Sequence, residues 1–191
     1  MANLLSRIRN GNFIAELMAE GRVFHVSDAD QDDVVGSQAS FANTTPTFLL
    51  DVPSGTTALP LMLSLVQSGT VAGGTIFMSI EIDNADRYGS GGTAETHLAG
   101  RTDAPITKKC TLYTGATANA GYGVRIFGAQ VGQDLATAEG AVNEILWTPT
   151  FGAPPILVGP AAFACYTWAS TPGPQWNWAF QYAELPTSDA I

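Results

Sequence analysis

Charge is what this chain has least of. Lysine, arginine, aspartate and glutamate make up 13% of its 191 residues, about half the usual share. Eight are basic and 17 acidic, for a net charge of −9. Phosphate recognition needs clustered basic side chains, so the composition argues against nucleic acid as a partner. Arg7 and Arg9, near the N-terminus, are a weak local exception. A surface this sparse in charge must be small or uncharged polar, or covered in part by other subunits.

Histidine and cysteine are nearly absent. His25 and His97 have no further histidine or cysteine at metal-binding spacing and read as unrelated surface or turn residues. Cys110 and Cys165 fall inside predicted strands without a CxxC pattern. They read as buried free thiols, with a disulfide between neighbouring strands as the other reading. No run approaches the roughly 18 apolar residues of a membrane span. Arg7, Arg9, Glu16 and Glu20 interrupt any signal-peptide core. The expectation is a soluble chain that is not exported by a signal of its own.

Catalytic and ligand-binding motifs are missing too. Asp28–Ala29–Asp30–Gln31–Asp32–Asp33 begins like a calcium loop, but Asp33 stands where the loop needs glycine. Ala39 stands where it needs a bidentate glutamate. Asp83–Asn84–Ala85–Asp86 reads as a turn. Gly89–Ser90–Gly91–Gly92 lacks the Lys–Ser/Thr of a phosphate loop. No GxSxG element occurs, and nothing nominates a pair of carboxylates for glycoside hydrolysis. No enzyme, metal site or cofactor is expected. Asn43–Thr44–Thr45 matches a glycosylation sequon by pattern alone.

What the chain does have is turns and alternation. Twenty glycines and eleven prolines punctuate short apolar runs. Strands are predicted over 47–52, 58–66, 75–83, 93–98, 108–114, 123–130, 142–148, 155–158, 161–168 and 175–184, with Arg22–Ser27 as a short additional strand. The clearest alternation is at the C-terminus, where Trp176, Trp178, Phe180 and Tyr182 occupy every second position. That places four rings on one face of a strand, which needs an opposing apolar layer and a central place in its sheet. Leu59, Leu61, Leu63 and Leu65 predict a second face, Ile76, Met78, Ile80 and Ile82 a third, and Ala162, Ala164, Tyr166 and Trp168 a fourth. The Ser68–Gly74 turn predicts that the leucine and isoleucine strands pair as a hairpin.

The fold class that follows is all-β, an antiparallel jelly-roll-like sandwich over residues 37–191. Residues 1–36 read as an arm or short helix followed by an acidic linker, whose Leu4, Leu5, Ile8, Ile14, Leu17 and Met18 must dock on the body or on a neighbour. No helix is predicted after Ser37, although 132–140 has room for one turn. Trp147, Trp168, Trp176 and Trp178, with Tyr113, Tyr122, Tyr166 and Tyr182, read as core before they read as a sugar-stacking platform. Trp147, just before Thr148–Pro149, is the ring expected near an edge.

Residues 51–74 (DVPSGTTALPLMLSLVQSGTVAGG), 81–94 (EIDNADRYGSGGTA), 110–118 (CTLYTGATA), 143–149 (NEILWTP) and 154–186 (PPILVGPAAFACYTWASTPGPQWNWAFQYAELP) follow one another in that order. From about Phe13 onward the chain resembles a group of tailed-bacteriophage virion proteins with an N-terminal arm and a jelly-roll-like domain. The resemblance implies capsid decoration or cement, as a homo-oligomer (most often a trimer) bound to the major capsid protein, within the virion and assembled in the host cytoplasm. It transfers no individual binding residue. The alternative is a carbohydrate- or host-receptor-binding module of a virion fibre or tail.

Overall fold

The computed structural model describes residues 13–27, 34–68, 74–103, 106–134, 143–149, 154–169 and 174–187. The acidic stretch 28–33 and most of 132–140 lie outside them. Among the described residues the helix is α1 (Phe13–Ala19). The long strands are β1 (Val23–Ser27), β3 (Phe48–Val52), β4 (Thr56–Ser68), β5 (Gly74–Asp83), β11 (Val124–Asp134), β12 (Glu144–Trp147), β14 (Ala161–Ala169) and β15 (Gln175–Pro186). Shorter pieces are β2 (Val35–Gly36), β6 (Tyr88–Ser90), β7 (Thr93–Ala94), β8 (His97–Ala99), β9 (Thr111–Thr114), β10 (Thr117–Ala118) and β13 (Leu157–Val158).

The pairing of the long strands is nested. β1 pairs β15, β3 pairs β14, β4 pairs β12 and β5 pairs β11, all antiparallel. Successive pairs alternate between two sheets, ordered β12-β4-β15-β1-β8 and β11-β5-β14-β3-β9-β7. First with last, second with second-last, folded over into two layers, is the winding of a jelly roll. Strands β6 to β10 are inserted between β5 and β11. β8 extends the first sheet beyond β1, and β9 and β7 extend the second beyond β3.

β15 lies between β4 and β1, as its apolar face requires. Trp176, Trp178, Phe180 and Tyr182 are all buried in the main core. The opposing layer is Ile76, Met78, Ile80, Phe163 and Cys165 from the second sheet. Tilted ring pairs tie the layers together, with Phe48 5.1 Å from Trp178 and Phe163 5.4 Å from Phe180. Trp147 sits on edge strand β12, yet its ring points inward to lie 5.3 Å from Phe163. Cys110 and Cys165 are free and buried, and burial pushes both thiols well above the usual range.

Three expectations are corrected. The leucine strand β4 and the isoleucine strand β5 do not form a hairpin; each belongs to a different sheet. Residues 69–73, the stretch expected to form the turn, lie outside the described residues; the apolar faces of β4 and β5 meet across the core. Second, the four leucines do not share a face. A register shift opposite Gln181–Tyr182 leaves Leu61 unpaired in the ladder, next to Pro60, which has no N–H to donate. Leu63 and Leu65 therefore enter the core, while Leu59 and Leu61 turn outward against α1. Third, residues 93–98 do not make one strand but β7 and β8, in different sheets.

The N-terminal segment is part of the body. Phe13 and Leu17 of α1 pack on Val23, Leu59, Ala183 and Leu185. β1, inside the stretch read as arm and linker, lies between β15 and β8, so the sandwich begins before residue 37.

Candidate functional site

The two sides of the sandwich differ. The side beyond β1 and β3 is closed by the inserted strands, and polar side chains fasten it. Glu184 continues the inward stripe of β15 by one more alternation, so its carboxylate arrives in the interior with 5% of the residue exposed. It accepts the Lys109 N–H at 2.9 Å, the Cys110 N–H at 2.8 Å and the Tyr182 hydroxyl at 3.1 Å. Tyr182 Oη lies 2.6 Å from His97 Nδ1, and His97 Nε2 accepts the Leu112 N–H at 3.2 Å. An acceptor at Nε2 leaves the ring proton on Nδ1, so the relay runs from His97 through Tyr182 to Glu184. It joins β8, β9 and β15, and it accounts for a histidine that sequence reading placed at the surface. The missed signal was the period-two spacing of Glu184 with the rings.

Burial, with a smaller contribution from the Lys108 charge, holds the His97 imidazole at about 4 instead of 6.5. The unfolded chain thus binds a proton between those values that the folded chain refuses. The stabilisation is complete above pH 6.5 and is lost as pH falls toward 4. With a discount for partial exposure, that loss is about 2 kcal/mol. Asp51, pushed up to about 6 by burial and by Asp86, acts in the opposite direction between 3.8 and 6. Urea titrations of wild-type and His97→Gln protein at pH 7 and pH 4.5 should therefore differ in slope, with the wild type losing more. Equal losses would remove His97 from the acid response.

A second anchor lies on the outer face of the second sheet. Arg87 is buried and donates to Asp83 at 3.0 Å and to the carbonyls of Asn119 and Asn43, each at 2.9 Å. Asp86 caps the Tyr88 N–H at 2.9 Å, so the 83–86 cluster is a turn, as its composition implies. Gly91 and Gly92 have positive φ, and a Cβ at Gly92 would strike the backbone of Thr114 and Ala116. Asn43 is also committed, donating from Nδ2 to the Gly121 carbonyl at 2.8 Å. No group of three or more potential metal ligands converges among the described residues, and no described helix is long and apolar enough to cross a membrane.

Among the described residues, nothing covers the other side, formed by β11, β12 and β13. Tyr122 (80% exposed), Val124 (70%), Ile126, Leu146 (66%), Ile156 and Val158 all lie on it. These are most of the large apolar side chains that the described residues expose; Met18, Phe77 and Leu98 lie elsewhere. A groove of about 420 Å³ runs from Tyr122 and Val124 across to Ile156 and Val158, with Leu157 and Ala161 among its lining residues and Asp83 and Asn84 at its margin. At the far end a Cβ at Gly132 of β11 would strike the Asn143 side chain beside β12, so the two sheet edges approach each other there. Of the rings read as core in preference to a stacking platform, Trp147, Trp176, Trp178, Tyr166 and Tyr182 are buried, Trp168 and Tyr113 are half-buried, and only Tyr122 is exposed. The open edge therefore offers apolar contact area and one aromatic wall.

No protein-family model and no curated protein matches the chain. Among solved structures, that of infectious bursal disease virus, Gx strain, aligns with 86% of this chain at 11% identity and a TM-score of 0.20. The alignment covers 42% of the virus chain. A superposition so loose carries no argument about fold or function.

Proposed function

We propose that the protein is a non-enzymatic structural subunit of a tailed-bacteriophage virion, acting as a homo-oligomeric decoration or cement protein on the major capsid protein. The observation that carries this reading is the edge formed by β11, β12 and β13, on or beside which lie six of the large apolar side chains that the described residues expose. A monomer that kept such a strip in water would be prone to association. The charge content of 13% and the resemblance of the chain order to such virion proteins support the same reading. Cement acts by adding buried area across capsomer boundaries, and a specific contact needs on the order of 1,000 Å².

Mass spectrometry of purified particles tests it. The expected result is a copy number comparable to that of the major capsid protein, and absence from the particle would end the proposal. A second reading, glycan binding at a fibre or tail, draws on Tyr122 standing beside Asp83 and Asn84 in the groove. A single exposed ring is a poor stacking platform, and Asp83 is already held by Arg87. A glycan array without signal would dispose of this second reading.

A further inference from the structure

We infer that residues 93–99 form a strap latched by His97, and that the strap opens when this ring takes up a proton while the rest of the sandwich stays folded.

The strap closes one side of the molecule by serving both sheets. Its first residues, β7, are the end strand of the second sheet and pair with β9. Its last, β8, are the end strand of the first sheet and pair with β1. A run that changes sheets must leave one ladder before it joins the other. Glu95 still donates its N–H to the Leu112 carbonyl at 2.9 Å. The Leu112 N–H is then left at the crossing, on a residue with no exposure. A buried N–H needs an acceptor, and this one finds His97 Nε2 at 3.2 Å. A side chain on the strap thus does what a backbone carbonyl does in a continuous ladder.

That substitution makes the join sensitive to protons. A carbonyl accepts at any pH, whereas a neutral imidazole accepts at one nitrogen and an imidazolium at neither. Nδ1 already carries the ring proton, 2.6 Å from Tyr182 Oη. An added proton must therefore go to Nε2, where it meets the Leu112 N–H, donor against donor. One of the two has to move. Leu112 is held in register against Leu50 of β3. The strap is the freer partner, with Thr93, Ala94, Thr96 and Leu98 exposed.

The charges around the ring pull in both directions. Glu184, behind Tyr182 on β15, favours an imidazolium, and Lys108, ahead of β9, opposes it. On the strap itself, Glu95 Oε1 accepts from the Thr114 hydroxyl at 2.6 Å. His25 of β1 lies on the opposite face of the sheet, since Phe24 and Val26 on either side of it point into the core. Burial decides the balance, with Lys108 adding to it, and the closed ring titrates at about 4 instead of 6.5. In an opened strap the ring regains its ordinary value. Closure is therefore at full strength above pH 6.5 and weakens as pH falls toward 4. The latch lies within one chain and needs no partner, so it stands apart from the virion reading.

Hydrogen exchange followed by NMR on the full chain tests the inference, with each amide's protection referred to the unfolded-chain rate at the same pH. Between pH 6.5 and pH 4, protection at Glu95 and Leu112 should fall by on the order of tenfold to a hundredfold. Amides of β4 and β15 should keep theirs. In His97→Gln, neutral at every pH, strap protection should be the same at both pH values. The wild-type comparison of strap with β4 and β15 decides the question even if that variant folds poorly. Equal losses in the strap and in β4 and β15 would mean global acid unfolding and would overturn the inference. Strap protection that stays constant while the His97 ring signals titrate, or that falls equally in His97→Gln, would overturn it too.

Discussion

Ending the chain at Pro174 is expected to abolish folding. The truncation removes β15, which pairs with β4 along its whole length, Gln175 with Ser68 through Pro186 with Thr56, and with β1 on its other side. Without it the first sheet separates into two pieces whose facing edges are unpaired. It also removes Trp176, Trp178, Phe180 and Tyr182 from the core. Truncating one buried aromatic residue to alanine costs about 3–5 kcal/mol. A domain holds about 5–15 kcal/mol in total, so losing four rings and a central strand exceeds what is there to lose. The truncated protein should show no cooperative unfolding transition by circular dichroism. The single change Trp176→Ala, at a ring with no exposure whose Nε1 donates to Ser37 Oγ at 2.8 Å, should lower stability by about 3–5 kcal/mol and leave the fold intact. A truncated chain that melts cooperatively would mean that β15 is an accessory strand.

The second large effect is expected at Glu184. Glu184→Ala should cost about 3–5 kcal/mol, because three donors, two of them buried, lose their acceptor at once. They are the N–H groups of Lys109 and Cys110 and the hydroxyl of Tyr182. The hydroxyl has no easy escape. Burial first, and then the Glu184 charge, hold the Tyr182 phenol protonated well above its ordinary range. It therefore remains a donor without an acceptor, and the His97 ring that leans on it loses its orientation. Glu184→Gln keeps one carbonyl oxygen and should recover roughly half of the loss. Urea denaturation of both variants at pH 7 decides the matter. A cost for Glu184→Ala under 1 kcal/mol would mean that water satisfies these groups and that the relay does not fasten the inserted strands.

How far the residues alone could be read depends on where a pattern met its exception. β15, β14 and β5 were legible because strict alternation has one structural solution, a strand with two different faces. The central place of β15 followed from the size of its rings. β4 was misread at one point: Pro60 and the unpaired Leu61 shift its register, so an alternating run of leucines serves two cores, one on each side of the sheet. His97 was misread because its partners lie at Tyr182 and Leu112, 85 and 15 residues away. Spacing rules written for local motifs do not reach that far. The open edge was not legible either. Val124, Leu146, Ile156 and Val158 look like any strand residues until the topology leaves β11 and β12 without outer neighbours among the described residues.

By itself the sequence determined the all-β class, the long strands, the inward face of the last one, and the shortage of basic side chains. These are properties of local alternation and composition, and each is set by residues within a few positions of one another. Tertiary structure decided which strands pair, that the leucine and isoleucine strands belong to different sheets, that a glutamate and a histidine meet through a tyrosine, and which side of the sandwich stays open. Those outcomes depend on contacts between residues far apart in the chain. Any of several pairings satisfies the same alternation, and the choice among them falls to the packing of one particular core.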